Sequence, residues 1–225
     1  MPSFPSRAAL LALPLLLFAC GGAPSEEAAA SGESSETPKE SIETGAMGDM
    51  TLGNPDAKVT VLEFASVTCP HCAAFHENIF PTIKEDYVDT GKVRFIFREF
   101  PTAPAGLSYV GSVLARCAAD KGGQNAYFAV LDSLFKTQKT WIYGEDPKLE
   151  LLKIAAQTGM NEEDFDACMQ RQELVDLINR NVKEGSEKYN VNATPTFIVN
   201  GTKRAIRDAE EFSKILDEEL EKSSG

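Results

Sequence analysis

The sequence predicts an α/β fold with a helical insertion. Residues 59–65 form a short apolar run that is rich in β-branched residues and typical of a buried strand, and the patterns at 93–97 and 196–200 also predict strands. Between the second and the third of these strands, about residues 104–190, the patterns are helical. The predicted order is therefore β-α-β, a block of helices, and then β-β-α. Such a β-α-β unit requires two parallel strands joined by a right-handed crossover.

Local signals define the β-α-β unit. The first strand, VTVLEFA, follows Asn54-Pro55-Asp56, which is typical of a turn. A helical pattern then covers residues 70–88, and Pro81 should kink that helix. The second strand, VRFIF, ends the unit, and residues 100–104 are expected to form a loop.

The insertion and the last three elements have signals of their own. Four helical patterns, separated by Gly, Asn, Pro or Asp, are predicted at residues 105–120, 125–138, 147–158 and 162–189. The strand TFIVN leads into Asn200-Gly201, which predicts a hairpin with a partner strand at residues 202–206. Asp208 is the expected N-cap of the last helix.

Composition limits the function classes. The chain has 225 residues, of which 43% are hydrophobic, so one domain of ordinary size can build a core. It contains 22 Lys and Arg against 34 Asp and Glu, a net charge of −12 at pH 7. Because nucleic-acid binding needs clustered positive charge, this balance argues against a nucleic-acid partner.

The first 19 residues are predicted to be an export signal. Arg7 precedes the apolar run AALLALPLLLFA, whose 12 residues are too few to cross about 30 Å of hydrocarbon as a helix. Leu17-Phe18-Ala19-Cys20 then resembles a bacterial lipobox, in which Cys20 carries the lipid and anchors the protein to a membrane. The alternative is ordinary signal cleavage that leaves Cys20 free. Both alternatives place the protein outside the cytosol, where disulfides persist.

Residues 20–45 are predicted to be a disordered tether. The segment is rich in Gly, Ala, Ser, Pro and Glu, and its six Glu and one Lys give it a charge of −5. Such a segment cannot bury enough apolar surface to offset the entropy lost on ordering. The folded domain is therefore expected at residues 46–225.

The motif Cys69-Pro70-His71-Cys72 carries the predicted chemistry. In an exported protein, a CxxC at the start of a helix after a strand indicates a redox dithiol. The helix N-terminus favours the Cys69 thiolate, Pro70 fits the first helical position, and His71 could stabilise the thiolate further. A zinc site is the weaker alternative, because the chain has one CxxC and only two histidines. A merely structural disulfide is the other alternative, and no metal is expected.

Two sequence pieces resemble the bacterial DsbA family of thiol-disulfide oxidoreductases. They are FASVTCPHCAAFH at residues 64–76 and TPTF at residues 194–197, and the similarity extends over about residues 50–222. The resemblance implies a thioredoxin-like fold with a helical insertion and an enzyme without metal or organic cofactor. It also implies a quinone-linked membrane oxidase as the partner that accepts its electrons.

The resemblance assigns roles to Thr194-Pro195 and Glu63, and His71 matches the histidine of the family's CxxC dipeptide. Thr194-Pro195 matches the cis-proline loop that lies against the CxxC and pairs with the substrate, the alternative being a trans proline that begins a strand. Glu63 is the only charge in a run predicted to be buried, and it matches an acid of the family that passes a proton to Cys72. The alternative is an ion-paired Glu63 with no catalytic role. His76 is expected to be a surface or packing residue of the helix.

Cys117 and Cys168 remain after the lipid anchor and the redox pair are assigned. Both lie in the predicted insertion, and we expect a structural disulfide between them. Closing this loop would stabilise the fold by about 4 kcal/mol in the chain-entropy model. The alternative is two buried free thiols, and the resembling family contains members with and without a second pair.

These observations predict a lipid-anchored, extracytoplasmic dithiol oxidase. It would be a monomer that oxidises cysteine pairs in unfolded or reduced exported proteins through a Cys69–Cys72 disulfide. A reductase or an isomerase of the same fold are the enzymatic alternatives, although an isomerase usually needs a dimerisation module. A client-binding or chaperone module without catalysis is the alternative from another class.

Overall fold

The computed structural model describes residues 45–224. The predicted signal peptide, the lipid attachment at Cys20 and the tether lie outside the described residues, except for Gly45. Across the described range, none of the helices combines the length and the apolar character needed to cross a membrane.

A five-stranded mixed sheet forms the centre of the fold. Its strands are β1 (Met50–Leu52), β2 (Val59–Ala65), β3 (Val93–Glu99), β4 (Thr196–Val199) and β5 (Thr202–Arg204). They are ordered β1-β3-β2-β4-β5, with β2 and β3 parallel and the other pairs antiparallel. The predicted parallel pair and the hairpin between β4 and β5 are thus confirmed. The hairpin turn uses Asn200 and Gly201, both with positive φ, as the sequence signal requires.

Eight helices surround this sheet in the part of the chain that the structure describes. They are α1 (Pro70–Asn78), α2 (Phe80–Ile83), α3 (Ala105–Lys136), α4 (Gln138–Tyr143), α5 (Pro147–Ala156), α6 (Glu162–Met169), α7 (Gln172–Tyr189) and α8 (Ala209–Ser224). A short 3-10 turn, Gly45–Met47, precedes β1, and a π-helical turn, Lys84–Val88, follows α2. The helices α3 to α7 form the insertion between β3 and β4, which confirms the predicted α/β fold with a helical insertion.

The helix boundaries confirm part of the prediction and correct part of it. The kink predicted at Pro81 is confirmed, because proline lacks the N–H that would continue the ladder, and the helical stretch is broken between α1 and α2. The helix predicted over 162–189 is two helices, since the chain turns at Gln170 and Arg171. By contrast, the patterns at 105–120 and 125–138 are confirmed as two segments of α3, because non-helical backbone at Gly122 and Gly123 separates them. The strand β1 was missed, because three residues are too few for a periodic pattern.

The alternation of side chains along β2 creates two apolar layers. Val59 and Val61 belong to the core formed with α1, α2 and α8. Leu62 and Phe64 point to the opposite face and pack near Tyr189 at the end of α7. By the same period of two, Glu63 shares the face of Val61 and is fully buried beneath α1.

A separate core holds the insertion together and joins it to the redox motif. Its buried side chains come from α3 to α7 and include Trp141, the sole tryptophan, and it also contains Cys69 and Cys72. Cys117 in α3 and Cys168 in α6 form a disulfide within this core, 51 residues apart in sequence. The insertion therefore packs directly behind the two redox cysteines.

A buried ion pair connects the sheet with the insertion. The Glu99 carboxylate at the end of β3 lies 2.7 Å from the Arg116 guanidinium of α3. The Tyr127 hydroxyl and the Asn181 amide each donate to Glu99 at 2.8 Å. Arg116 also donates to the carbonyl oxygens of Ala46 and Gly48. Four segments that are distant in sequence thus meet at one pair of charges.

Candidate active site

The redox motif lies where β2 ends and α1 begins. Cys69 is the N-cap of α1, and Pro70 occupies its first turn, where a missing N–H has no cost. Cys72 follows one turn later on the buried side. Cys69 is 7% exposed and Cys72 is fully buried, so Cys69 is the thiol that a substrate can reach.

The environment of Cys69 favours its thiolate. A hydrogen bond from the Cys72 side chain is the largest influence on Cys69, and burial opposes it. The backbone N–H groups of Cys72 and His71 add further donors, and together these effects lower the pKa of Cys69 to about 5. At pH 7 the thiolate should therefore exceed the thiol by about 100-fold. Cys69 is the expected nucleophile, because the thiolate is the reactive form.

Cys72 has the opposite electrostatic character. Burial raises the pKa of Cys72 well above its ordinary value, and the hydrogen bond to Cys69 and the negative charge of Glu63 raise it further. Cys72 therefore holds its proton while Cys69 releases its own. One helical turn thus holds a slightly exposed cysteine that favours the thiolate and a fully buried cysteine that favours the thiol.

The thiolate of Cys69 should be visible in an acid titration. We expect the ultraviolet thiolate absorbance of the reduced protein to rise with a midpoint near pH 5, and Cys69→Ser to abolish that transition. Because this pKa is lower in the folded than in the unfolded state, the reduced protein gains stability as pH rises from about 5 to 9. The oxidised protein lacks this gain, so the difference between their melting temperatures should widen over that range. A midpoint above pH 8 would contradict the assignment.

The segment before β4 supplies a second wall of the site. The Thr194–Pro195 peptide bond is cis, as is the Ala103–Pro104 bond in the loop before α3. The carbonyl oxygen of Thr194 lies 3.3 Å from the Cys69 sulfur, which donates to it while protonated. A loop 125 residues downstream of Cys69 thus contacts the Cys69 sulfur.

The loop between β2 and α1 is held by polar groups that sequence reasoning missed. The buried hydroxyl of Ser66 lies within 2.9 Å of the Thr68 and Ser108 hydroxyls. The buried Gln138 amide donates to the carbonyl oxygens of Val67 and Cys69 at 2.8 and 3.1 Å. No sequence signal marks Gln138, because it becomes a partner of the motif only when α4 folds back on the loop. These bonds fix the position of Cys69.

The two histidines occupy different environments. His71 is exposed beside Cys69, and its backbone N–H contributes to the thiolate environment. His76 was expected to be a surface or packing residue, but its Nε2 lies 2.8 Å from Glu63 Oε2 and its side chain is only 7% exposed. The spacing of four between Cys72 and His76 was a usable signal, because such residues share one face of a helix. Glu63 therefore has His76 as a hydrogen-bond partner in the core, and its charge also influences the pKa of Cys72.

The structure brings most of the predicted site residues together. Glu63, Cys69, Cys72 and Thr194 form one cluster, whereas Cys117 and Cys168 are bonded to each other in the insertion. Within residues 45–224, no group of three or more His, Cys, Asp or Glu side chains is arranged to hold a metal ion. The arrangement can perform thiol-disulfide exchange with its own two sulfurs.

Comparison with known proteins gives relatives of the same type. A family model described as thioredoxin matches residues 44–218. A putative protein-disulfide oxidoreductase of Rickettsia bellii is 33% identical over 175 residues, which are 78% of this chain and 66% of that protein. The disulfide bond formation protein D of Bacillus subtilis is 28% identical over 181 residues, 77% of this chain and 78% of that protein. The chain thus spans slightly less than two thirds of the Rickettsia protein.

The structural comparison agrees with these relatives. The crystal structure of Wolbachia pipientis alpha-DsbA1 matches with a TM-score of 0.70 and 31% sequence identity, over 78% of this chain and 92% of that one. This chain belongs to the thioredoxin family, within the DsbA-type thiol-disulfide oxidoreductases. The resemblance derived from CPHC and TPTF is confirmed at the level of the family and of its fold.

Proposed function

We propose that this protein is an extracytoplasmic dithiol oxidase that transfers the Cys69–Cys72 disulfide to reduced exported proteins. The observation that carries the proposal is the contrast between the two thiols, with the pKa of Cys69 lowered to about 5 and that of Cys72 raised. A stabilised thiolate favours the reduced form of the protein. Because it favours the reduced form, the disulfide gains oxidising power.

The reaction consists of two exchanges. A client thiolate attacks the Cys69 sulfur, a mixed disulfide forms, and Cys72 leaves and takes up a proton. A second client thiolate then attacks the client sulfur of the mixed disulfide and releases Cys69 as a thiolate. For two client thiols, the products are one client disulfide, a Cys69 thiolate, a Cys72 thiol and one released proton. His71 beside the nucleophile would stabilise the thiolate, and the Thr194–Pro195 loop would align the client backbone next to the sulfur.

The partners and the location follow from the same proposal. A quinone-linked membrane oxidase would remove the two electrons and restore the disulfide. A lipid on Cys20 would hold the protein at a bacterial membrane, and residues 20–45 would connect this anchor to the catalytic domain as a flexible tether. The protein would act as a monomer. The predicted export signal supports this location, since disulfides persist outside the cytosol.

The reduction potential of the Cys69–Cys72 pair is the deciding measurement. We expect equilibration of the purified protein with glutathione buffers to give a value near about −120 mV, the value of DsbA, at pH 7. Because Cys69 stays a thiolate above pH 5, reduction takes up one proton for two electrons there. The potential should therefore fall by about 30 mV per pH unit above pH 5, and by about 60 mV per unit below it.

A value near about −270 mV, the value of thioredoxin, would contradict the oxidase proposal. It would indicate a reductase of the same fold that receives electrons from a membrane donor. A control with Cys20→Ala, Cys117→Ala and Cys168→Ala keeps the measurement specific, because any signal that persists in it belongs to Cys69 and Cys72.

A further inference from the structure

The Glu63–His76 pair connects the buried side of the redox site with the protein surface. Glu63 is fully buried in β2, whereas the His76 side chain in α1 keeps 7% of its surface exposed. Their side-chain atoms Oε2 and Nε2 lie 2.8 Å apart, so one proton must lie between them. His76 is thus placed so that one nitrogen contacts the buried carboxyl group while its ring extends toward solvent.

The other oxygen of Glu63 is available for a proton. Glu63 Oε1 is buried and finds no hydrogen-bond partner among the described residues. A buried polar atom without a partner is costly, and in native proteins it often marks a catalytic role or a bound water. Cys72 and His76 are one helical turn apart and face β2 together. The unpaired oxygen is part of Glu63, the same carboxylate whose negative charge raises the pKa of the Cys72 thiol.

Aromatic side chains pack against the His76 ring. The ring stacks on Phe135 at 4.4 Å with an interplanar angle of 20°, and Phe80 lies 4.9 Å away. The titratable groups around the pair are Cys72 on α1 and Tyr127 on α3, which interacts electrostatically with Glu63. Behind Tyr127 lies the buried pair Glu99 and Arg116, which are bonded to each other.

We propose that His76 is a positioning and proton-relay residue, which exchanges protons between the buried Glu63 carboxyl group and solvent on behalf of Cys72. The inference rests on the proposed thiol-disulfide exchange. When Cys72 leaves during oxidation of a client, Glu63 donates a proton to its sulfur, directly or through one water. That proton has reached Glu63 from solvent through the Nε2 side of His76, and the transfer leaves Glu63 as a carboxylate beside the Cys72 thiol. Reoxidation follows the same route in reverse, and each cycle moves one proton in each direction.

The reaction of the reduced protein with glutathione disulfide isolates this step. Cys69 first attacks the disulfide and releases glutathione as a thiolate, which leaves a mixed disulfide on Cys69. Cys72 must then lose its proton through the relay before it displaces the second glutathione. In His76→Gln, which retains an amide donor for Glu63 but cannot relay a proton, we expect this second step to slow by about 100-fold at pH 7. Acid quenching and mass spectrometry should then detect the adduct, which stays at a low level in the wild type.

Two further variants separate proton relay from packing. Phe135→Leu removes the stacking partner of His76 and should unfold more easily, yet its second step should keep the wild-type rate and pH profile. In His76→Ala, free imidazole should restore the second step in proportion to its concentration. In Cys72→Ser and Cys72→Ser with His76→Gln, adduct formation should be equally fast, because the first step does not use the relay.

The outcomes distinguish the inference from the function on which it rests. If His76→Gln resolves the adduct at the wild-type rate at every pH, the relay is wrong, whereas the proposed thiol-disulfide exchange is unaffected. Equal slowing in Phe135→Leu, or slowing in His76→Ala that imidazole does not reverse, assigns the effect to packing and overturns the relay as well. A Cys72→Ser protein that forms no adduct at all overturns the proposed function together with the relay.

Discussion

Replacement of Cys69 by Ser is expected to reduce thiol-disulfide exchange to the uncatalysed rate. The serine hydroxyl cannot form a disulfide, and Cys72 cannot take over, because it is fully buried and its raised pKa keeps it protonated. The measurement is oxidation of a reduced two-cysteine peptide, with the protein regenerated by an excess of a small oxidant. We expect no turnover above the oxidant alone, although the variant should remain folded, because the change is nearly isosteric.

Cys72→Ser is the matched variant for this experiment. It keeps the nucleophile but removes the thiol that resolves a mixed disulfide, so we expect stable disulfide adducts between Cys69 and client proteins. Turnover should be lost in both variants, whereas adducts should form only in Cys72→Ser. If the wild type showed no more turnover than Cys69→Ser, the protein would be a client-binding module without catalysis, and the dithiol would have no part in its function.

The central part of the fold could be predicted because its signals are local. The apolar run of β2, the turn at Asn200-Gly201 and the proline after Cys69 each determine the backbone within a few residues of themselves. The redox motif is local in the same sense, since its chemistry depends on two thiols in one helical turn. The strand β2, the Asn200-Gly201 turn and the redox motif could therefore be predicted almost completely from the sequence.

The features that were missed depend on contacts between distant segments. Gln138 holds the loop of Cys69 from 69 residues away, and no pattern in its own helix indicates that role. His76 sits at a position that suits the helix surface, but the stack on Phe135 encloses it. The helix predicted over residues 162–189 has one continuous pattern, and only the tertiary packing determines that it turns at Arg171. Such assignments need the fold before they can be made.

The charges of Glu99 and Arg116 were also missed, and they are expected to matter most for stability. Each of these residues has only 1% of its surface exposed. An unpaired charge buried to this extent is very unfavourable. Burial raises the pKa of Glu99, and the interactions with Arg116 and Tyr127 outweigh it, so that the net pKa is lowered. Glu99 therefore adds stability that is fully present above about pH 4.5 and is lost as pH falls through its lowered pKa.

Glu99→Gln is accordingly expected to lower the free energy of unfolding by about 3–5 kcal/mol at pH 7, because it leaves the Arg116 charge buried without a counter-charge. Urea unfolding of the oxidised protein measures this loss, and the variant should also lose the part of the acid destabilisation that belongs to Glu99.

Glu173→Gln is the control, since this carboxylate pairs with Arg171 at the surface, and its urea midpoint should barely change. Adding Arg116→Met to Glu99→Gln should recover much of the stability, because the unpaired charge is then removed. If Glu99→Gln unfolded at the same urea concentration as the control, water would have to reach Arg116 in solution. The Glu99–Arg116 pair would then not hold together the sheet, the insertion and the segment around Ala46.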